Sequence, residues 1–106
     1  MRSIAIATLL LFATPALADV KITIENHGTT AVSGTNSFPI GDDGEPVEDN
    51  IGGLYEDIAP GARGSYELVG DCGPTRIFVR LAGHTGEDDM VIDLNTCRHR
   101  TIVVSD

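Results

Sequence analysis

Residues 41–50 read Gly-Asp-Asp-Gly-Glu-Pro-Val-Glu-Asp-Asn: five of the ten side chains are carboxylates, no cation interrupts them, and an amide closes the run. Like charges about 4 Å apart repel by about 1 kcal/mol per pair even in bulk water, and by more near a protein surface. A counter-cation would relieve that crowding. Oxygen-only ligands on a turn-rich loop suit a large, hard ion that accepts irregular geometry, which points to calcium-like ions rather than magnesium, copper or zinc. The candidate ligands are Asp42, Asp43, Glu45, Glu48 and Asp49. Their spacing is not that of an EF-hand. With Gly44 at the invariant sixth position, Pro39 and Gly41 fall where early ligands belong, and Asn50 falls where the bidentate glutamate belongs. The competing reading is a solvated acidic loop that keeps the chain soluble and guards a sheet edge.

Other chemistry-bearing residues are sparser. Glu87, Asp88 and Asp89 follow His84 and form a second acidic cluster, which completes the first if the two loops converge and is otherwise the polar end of a hairpin. No second histidine or free thiol stands at metal-binding distance from His84, and His27 and His99 sit beside turns as surface residues. Arg76 and Arg80 flank Phe78 on one face of a strand, where pairing with Asp93 or Glu67 accounts for them. Arg98 and Arg100 repeat the arrangement near the C-terminus, an asymmetry that suits an acidic partner or the self-association of unlike faces. No phosphate loop, supported Ser-His-Asp set or dinucleotide fingerprint is present, so an enzyme is not expected.

The 106 residues allow one domain, and a hydrophobic fraction of 42% is enough to build a core. Seven Lys and Arg against 16 Asp and Glu give a formal charge of -9, which argues against nucleic acid or an anionic membrane surface as a partner. Residues 1–18 have a charged start, a short apolar centre and an Ala-x-Ala end, the pattern of a cleavable signal peptide. The apolar run is too short to span a bilayer, so membrane insertion is not expected. Domain boundaries of 1–18 and 19–106 follow, with the exported part in the periplasm. In an oxidising compartment Cys72 and Cys97 pair as a structural disulfide. The alternative is a reactive Cys97 thiolate near His99, which needs a reduced sulfur and a positioned base.

The elements that position these residues are strands. Val20, Ile22 and Ile24 alternate with polar residues. Residues 31–40 form a weaker, polar strand that bends near Gly34 or Pro39. Further strands are expected at 65–69, 75–82, 90–94 and 101–104, with Ile77, Val79 and Leu81 on one face and Phe78 on the other. The fold class is all-β: a small antiparallel, immunoglobulin-like β-sandwich of six or seven strands with one disulfide. Without tryptophan the label describes architecture only. If the strands at 75–82 and 90–94 run antiparallel, the two cysteines meet at one end.

The leader, the strand pattern, the Cys72 and Cys97 pair and the acidic residues Asp42-Asp43-Gly44-Glu45 and Glu48-Asp49 together resemble the small periplasmic β-sandwich proteins of bacterial lanthanide-uptake systems, the landiscernin-like proteins. The resemblance covers the general plan of the exported chain. It implies a non-enzymatic metal-trafficking or hand-over role, with a lanthanide or calcium ion bound at a surface site. Open coordination positions would be filled by water, a periplasmic protein partner or a second protomer in a metal-dependent homodimer. Trivalent lanthanides, calcium-sized but more highly charged, would gain most from clustered carboxylates. The runner-up is a periplasmic protein-interaction module that presents a sheet face or edge, with the acidic loop serving solubility alone.

Overall fold

The computed structural model describes residues 20–47 and 49–105; the expected signal peptide and Glu48 lie outside the described residues. Six strands follow in chain order and are shared between two sheets: β1 (Val20–Asn26), β2 (Val32–Pro39), β3 (Arg63–Leu68), β4 (Pro74–Leu81), β5 (Met90–Asn95) and β6 (Thr101–Val104). One sheet has the order β3-β1-β6 and the other β2-β4-β5. The only helical element among the described residues is a 3-10 turn, Gly86–Asp88.

Period-two alternation makes the strands, and burial follows it. Ile22 and Ile24 of β1 and Ile77 and Val79 of β4 are completely buried, because successive side chains on a strand point to opposite faces. The inward faces of both sheets contribute to one apolar cluster, which joins Leu68, Ile102 and Val104 of the first sheet to Val32 and Leu81 of the second. This shared core defines the sandwich. The expected bend in β2 is a register shift between Val32 and Gly34.

The expectation of a wholly antiparallel fold needs one correction. β1 pairs antiparallel with β3, but β6 lies parallel to β1, with Ile24 beside Ile102. After β5 the chain crosses from one sheet to the other and enters beside β1 in the same direction. A hydrophobic pattern specifies which face of a strand is buried, not its direction.

Cys72 and Cys97 form a disulfide, with their Cα atoms 4.9 Å apart. It closes the end of the β4-β5 pair, where Pro74 lies opposite Asn95, as the antiparallel placement required. A disulfide fits an oxidising compartment, and the alternative of a reactive thiol fails, since no cysteine is free among the described residues. Among the described residues no helix is long and apolar enough to cross a membrane.

The long connection between β2 and β3 folds back along β2 as a strap. Ile51 N–H donates to Ser37 O and Ile51 O accepts from Val69 N–H, while Val32 and Ile58 exchange both backbone bonds. The strap thus bridges the β2 edge of one sheet to the β3 side of the other. Gly53 permits the approach, because a Cβ there would collide with the carbonyl oxygen of Thr35. The Thr35 hydroxyl completes the contact by accepting the Leu54 N–H at 2.9 Å.

Candidate functional site

Residues 41–47 of the acidic run form a hairpin tip. Beyond the end of β2, Ile40 forms an antiparallel bridge with Pro46, and Val47 N–H donates to Pro39 O at 2.9 Å. Gly44 N–H donates to Gly41 O, and Gly41 N–H to Glu45 O. This turn needs a left-handed residue, and Gly44, with φ of 82°, supplies it. The Asp43 carboxylate accepts the Glu45 N–H at 3.0 Å, a local turn bond typical of aspartate.

Behind the tip an asparagine clasp fixes the returning chain. Asn50 accepts from the N–H groups of Ser37 and Gly52, at 3.3 and 3.1 Å, and donates to the Asn36 side chain at 2.8 Å. The amide that closes the acidic run is therefore a positioning group rather than a ligand. Nothing in the sequence alone pairs Asn50 with Asn36, because the contact depends on the strap folding back along β2.

Asp42, Asp43, Glu45 and Asp49 are all exposed, and none forms an ion pair with a described residue. Glu45 lies near enough to Arg76 to favour the guanidinium charge electrostatically. Among the described residues no group of three or more His, Cys, Asp or Glu side chains is gathered so as to hold a metal ion. The tip brings Asp42, Asp43 and Glu45 onto one short hairpin, and no three-carboxylate group forms among the described residues.

The second acidic cluster does not complete the first. The hairpin tip adjoins the start of β4, through the Ile40 N–H to Pro74 O bond, whereas Glu87, Asp88 and Asp89 precede β5 at the other end of the same sheet. The strand between these ends keeps them about 20 Å apart. Asp89 instead accepts a bidentate pair of bonds from Arg80, at 2.8 and 3.2 Å. His84 is exposed, as are His27 and His99. His27 lies 3.2 Å from Glu25, which also pairs with Arg63.

Arg76 donates to Asp93 at 2.7 and 2.9 Å, one of the two partners expected for these arginines. That hydrogen bond holds the Asp93 carboxyl below the usual carboxylate range. Glu67 is not the other partner, because it lies in the opposite sheet across from Lys21. Between the two Arg–Asp pairs the outer face of β2-β4-β5 carries Phe78 packed edge-to-face on Phe38, with ring centroids 5.8 Å apart. A shallow groove of about 270 Å³ runs beside Phe78 to Tyr55, Arg80 and Asp89.

Tyr66 connects the core to the hairpin base. Its hydroxyl meets the Ser37 hydroxyl at 3.2 Å, and burial pushes its pKa up, partly offset by hydrogen bonds from Ser37 and Thr35. Because Ser37 also bonds Asn50, Tyr66 is tied to the base of the acidic hairpin. Tyr55, nearer in sequence, lies in the groove with Arg80 and Asp89.

No protein-family model, curated protein or solved structure matches this chain.

Proposed function

We propose that this is a periplasmic, non-enzymatic protein that captures a hard, oxygen-seeking cation, calcium or a lanthanide, on the acidic 41–50 loop through Asp42, Asp43, Glu45, Glu48 and Asp49, and carries it or hands it over. One observation supports the reading. Asp42, Asp43, Glu45 and Asp49 stand exposed without an ion-pair partner among the described residues, while Arg63, Arg76 and Arg80 are paired with carboxylates elsewhere. The chain concentrates negative charge at one tip, where the one nearby cation, Arg76, acts on Glu45 at a distance and is itself bound to Asp93.

Gathering the ligands requires rotating exposed side chains and breaking the Asp43 to Glu45 N–H bond, a cost of about 1 kcal/mol. The asparagine clasp already holds the hairpin base in place. A site that must be gathered in this way belongs with the weaker calcium modules, whose dissociation constants are about 0.1 to 1 mM. A trivalent ion of the same size gains more from each carboxylate. Water or a partner protein completes the coordination, and acid opposes binding because protonated carboxylates are poor ligands.

Terbium luminescence tests this. Emission excited through tyrosine should rise on titration and should depend on Tyr66, since the hydrogen-bond chain places Tyr66 beside the hairpin base. D42N/D43N/E45Q/D49N should remove the signal and leave the fold unchanged. An undiminished signal in that variant would refute the assignment.

A second reading, an interaction module, is favoured by the outer face of β2-β4-β5. There Val91 is 56% and Tyr55 77% exposed beside the Phe38–Phe78 pair, an apolar centre rimmed by paired charges like that of many docking surfaces. Capture of a protein that persists in chelator and is lost in F78A would favour this reading over the first.

A further inference from the structure

β5 is an open sheet edge, and the phase of its ladder identifies the backbone groups left without partners. Thr96 N–H bonds Gly73 O at 3.0 Å, and the register continues through Thr75 opposite Leu94, Ile77 opposite Ile92 and Val79 opposite Met90. An antiparallel ladder alternates, so Met90, Ile92 and Leu94 turn their N–H and C=O groups toward β4. Those of Val91 and Asp93 turn away, and no described backbone group outside the strand ladders meets them. The β2 edge of the same sheet is covered by the strap. Edge strands are usually blunted by charged side chains, lysine above all, by proline or by a bulge. Met90–Asn95 contains no lysine or proline, its one charged residue, Asp93, is already paired with Arg76, and its pairing with β4 shows no register shift.

We propose that the protein self-associates through this edge, β5 pairing antiparallel with β5 of a second copy about a two-fold axis at Ile92. Three features favour a second copy as the occupant. Val91 of each chain lies opposite Asp93 of the other, and the outward N–H and C=O groups of both residues are satisfied. On the inner side Met90 meets Leu94 and Ile92 meets Ile92, all half-buried at the rim of the core, so their remaining apolar surface leaves water. Charge is complementary as well. Glu87 and Asp88 precede β5, while Arg98 and Arg100 follow it. All four are exposed, and none has an ion-pair partner among the described residues. Antiparallel pairing sets the acidic start of one strand beside the basic turn of the other. No like charges face each other along β5, since Asp93 lies opposite Val91.

A pair of six-residue strands buries less than the roughly 1,200 Å² of a stable complex, and each copy carries a charge of -9. The association is therefore of the weak, reversible class. Sedimentation equilibrium of the purified protein in chelator, from about 10 μM to about 1 mM, should show a monomer passing to a dimer. Over the same range amide exchange should slow at Val91 and Asp93 and stay constant at Ile92. V91P removes an N–H that β4 does not use, so its spectrum should remain folded while the dimer is lost. R98E/R100E should weaken association by about tenfold or more, and adding E87K/D88K, which returns the net charge to its starting value, should restore it. A monomer throughout the range, a dimer that survives V91P, or a dimer seen only when a cation is present would each overturn the proposal.

Discussion

Removing the disulfide should cost this protein a large share of its stability, and the structure sets the size of the effect. Cys72 and Cys97 are 25 residues apart, for which the chain-entropy relation gives about 3.5 kcal/mol at 25 °C. Beside the bridge, Thr96 N–H bonds Gly73 O, and the Thr96 hydroxyl joins both the N–H and the carbonyl of Gly73. Those bonds hold the strand ends together without the sulfurs. C72A/C97A should therefore keep the native fold and express its loss through a freer unfolded chain. The expected drop of about 3.5 kcal/mol corresponds to a fall in melting temperature of about 15 to 25 °C. Urea unfolding followed by tyrosine fluorescence measures it. The denaturant slope should also rise, because an unbridged chain exposes more surface. A loss below about 1 kcal/mol, or amide spectra that change throughout both sheets, would show that the bridge does not act mainly on the unfolded state.

Other expectations follow from single side chains. Ile77→Ala opens a cavity at a fully buried position and should cost about 2 to 5 kcal/mol in chemical denaturation. Asn26 is buried, donates to Thr30 O and Ile58 O at 2.9 Å, and accepts from Gly28 N–H; Asn26→Ala strands these partners and should cost about 3 kcal/mol by the same assay. Gly53→Ala should displace the strap from Thr35, detected as faster amide exchange at Leu54 and Thr35 than at β1. Tyr66 sets an alkaline limit. Its folded pKa is raised by burial, so its contribution is complete below the ordinary tyrosine pKa of about 10 and is lost as pH rises through the folded value. Stability measured against pH should fall in that window for the native protein and less steeply for Tyr66→Phe.

What could be read from the sequence is what side-chain period and turn chemistry encode. Ile22, Ile24, Ile77, Val79 and Ile102 show which faces are buried, and Gly34 shows where β2 departs from regular pairing. Cys72 and Cys97 could be placed together because each flanks a strand of one hairpin. The strap could not be read, since it depends on Gly53 finding the Thr35 backbone across a polar stretch with no period of its own. Strand direction is equally hidden in such a pattern, which is why the antiparallel expectation fails at the β1–β6 pair. Distance along the chain misleads at two positions. Tyr55, close in number to the acidic residues, lies in the groove, and Asp89, grouped with its acidic neighbours, is the partner of Arg80. At the candidate site the carboxylates and their turn are visible in the sequence, whereas the asparagine clasp requires the fold.

Titration calorimetry with lanthanum chloride reads cation capture at the acidic hairpin tip. Lanthanum should give saturable heat that is absent from D42N/D43N/E45Q/D49N. No heat up to millimolar lanthanum, or the same isotherm from that variant, would contradict that capture.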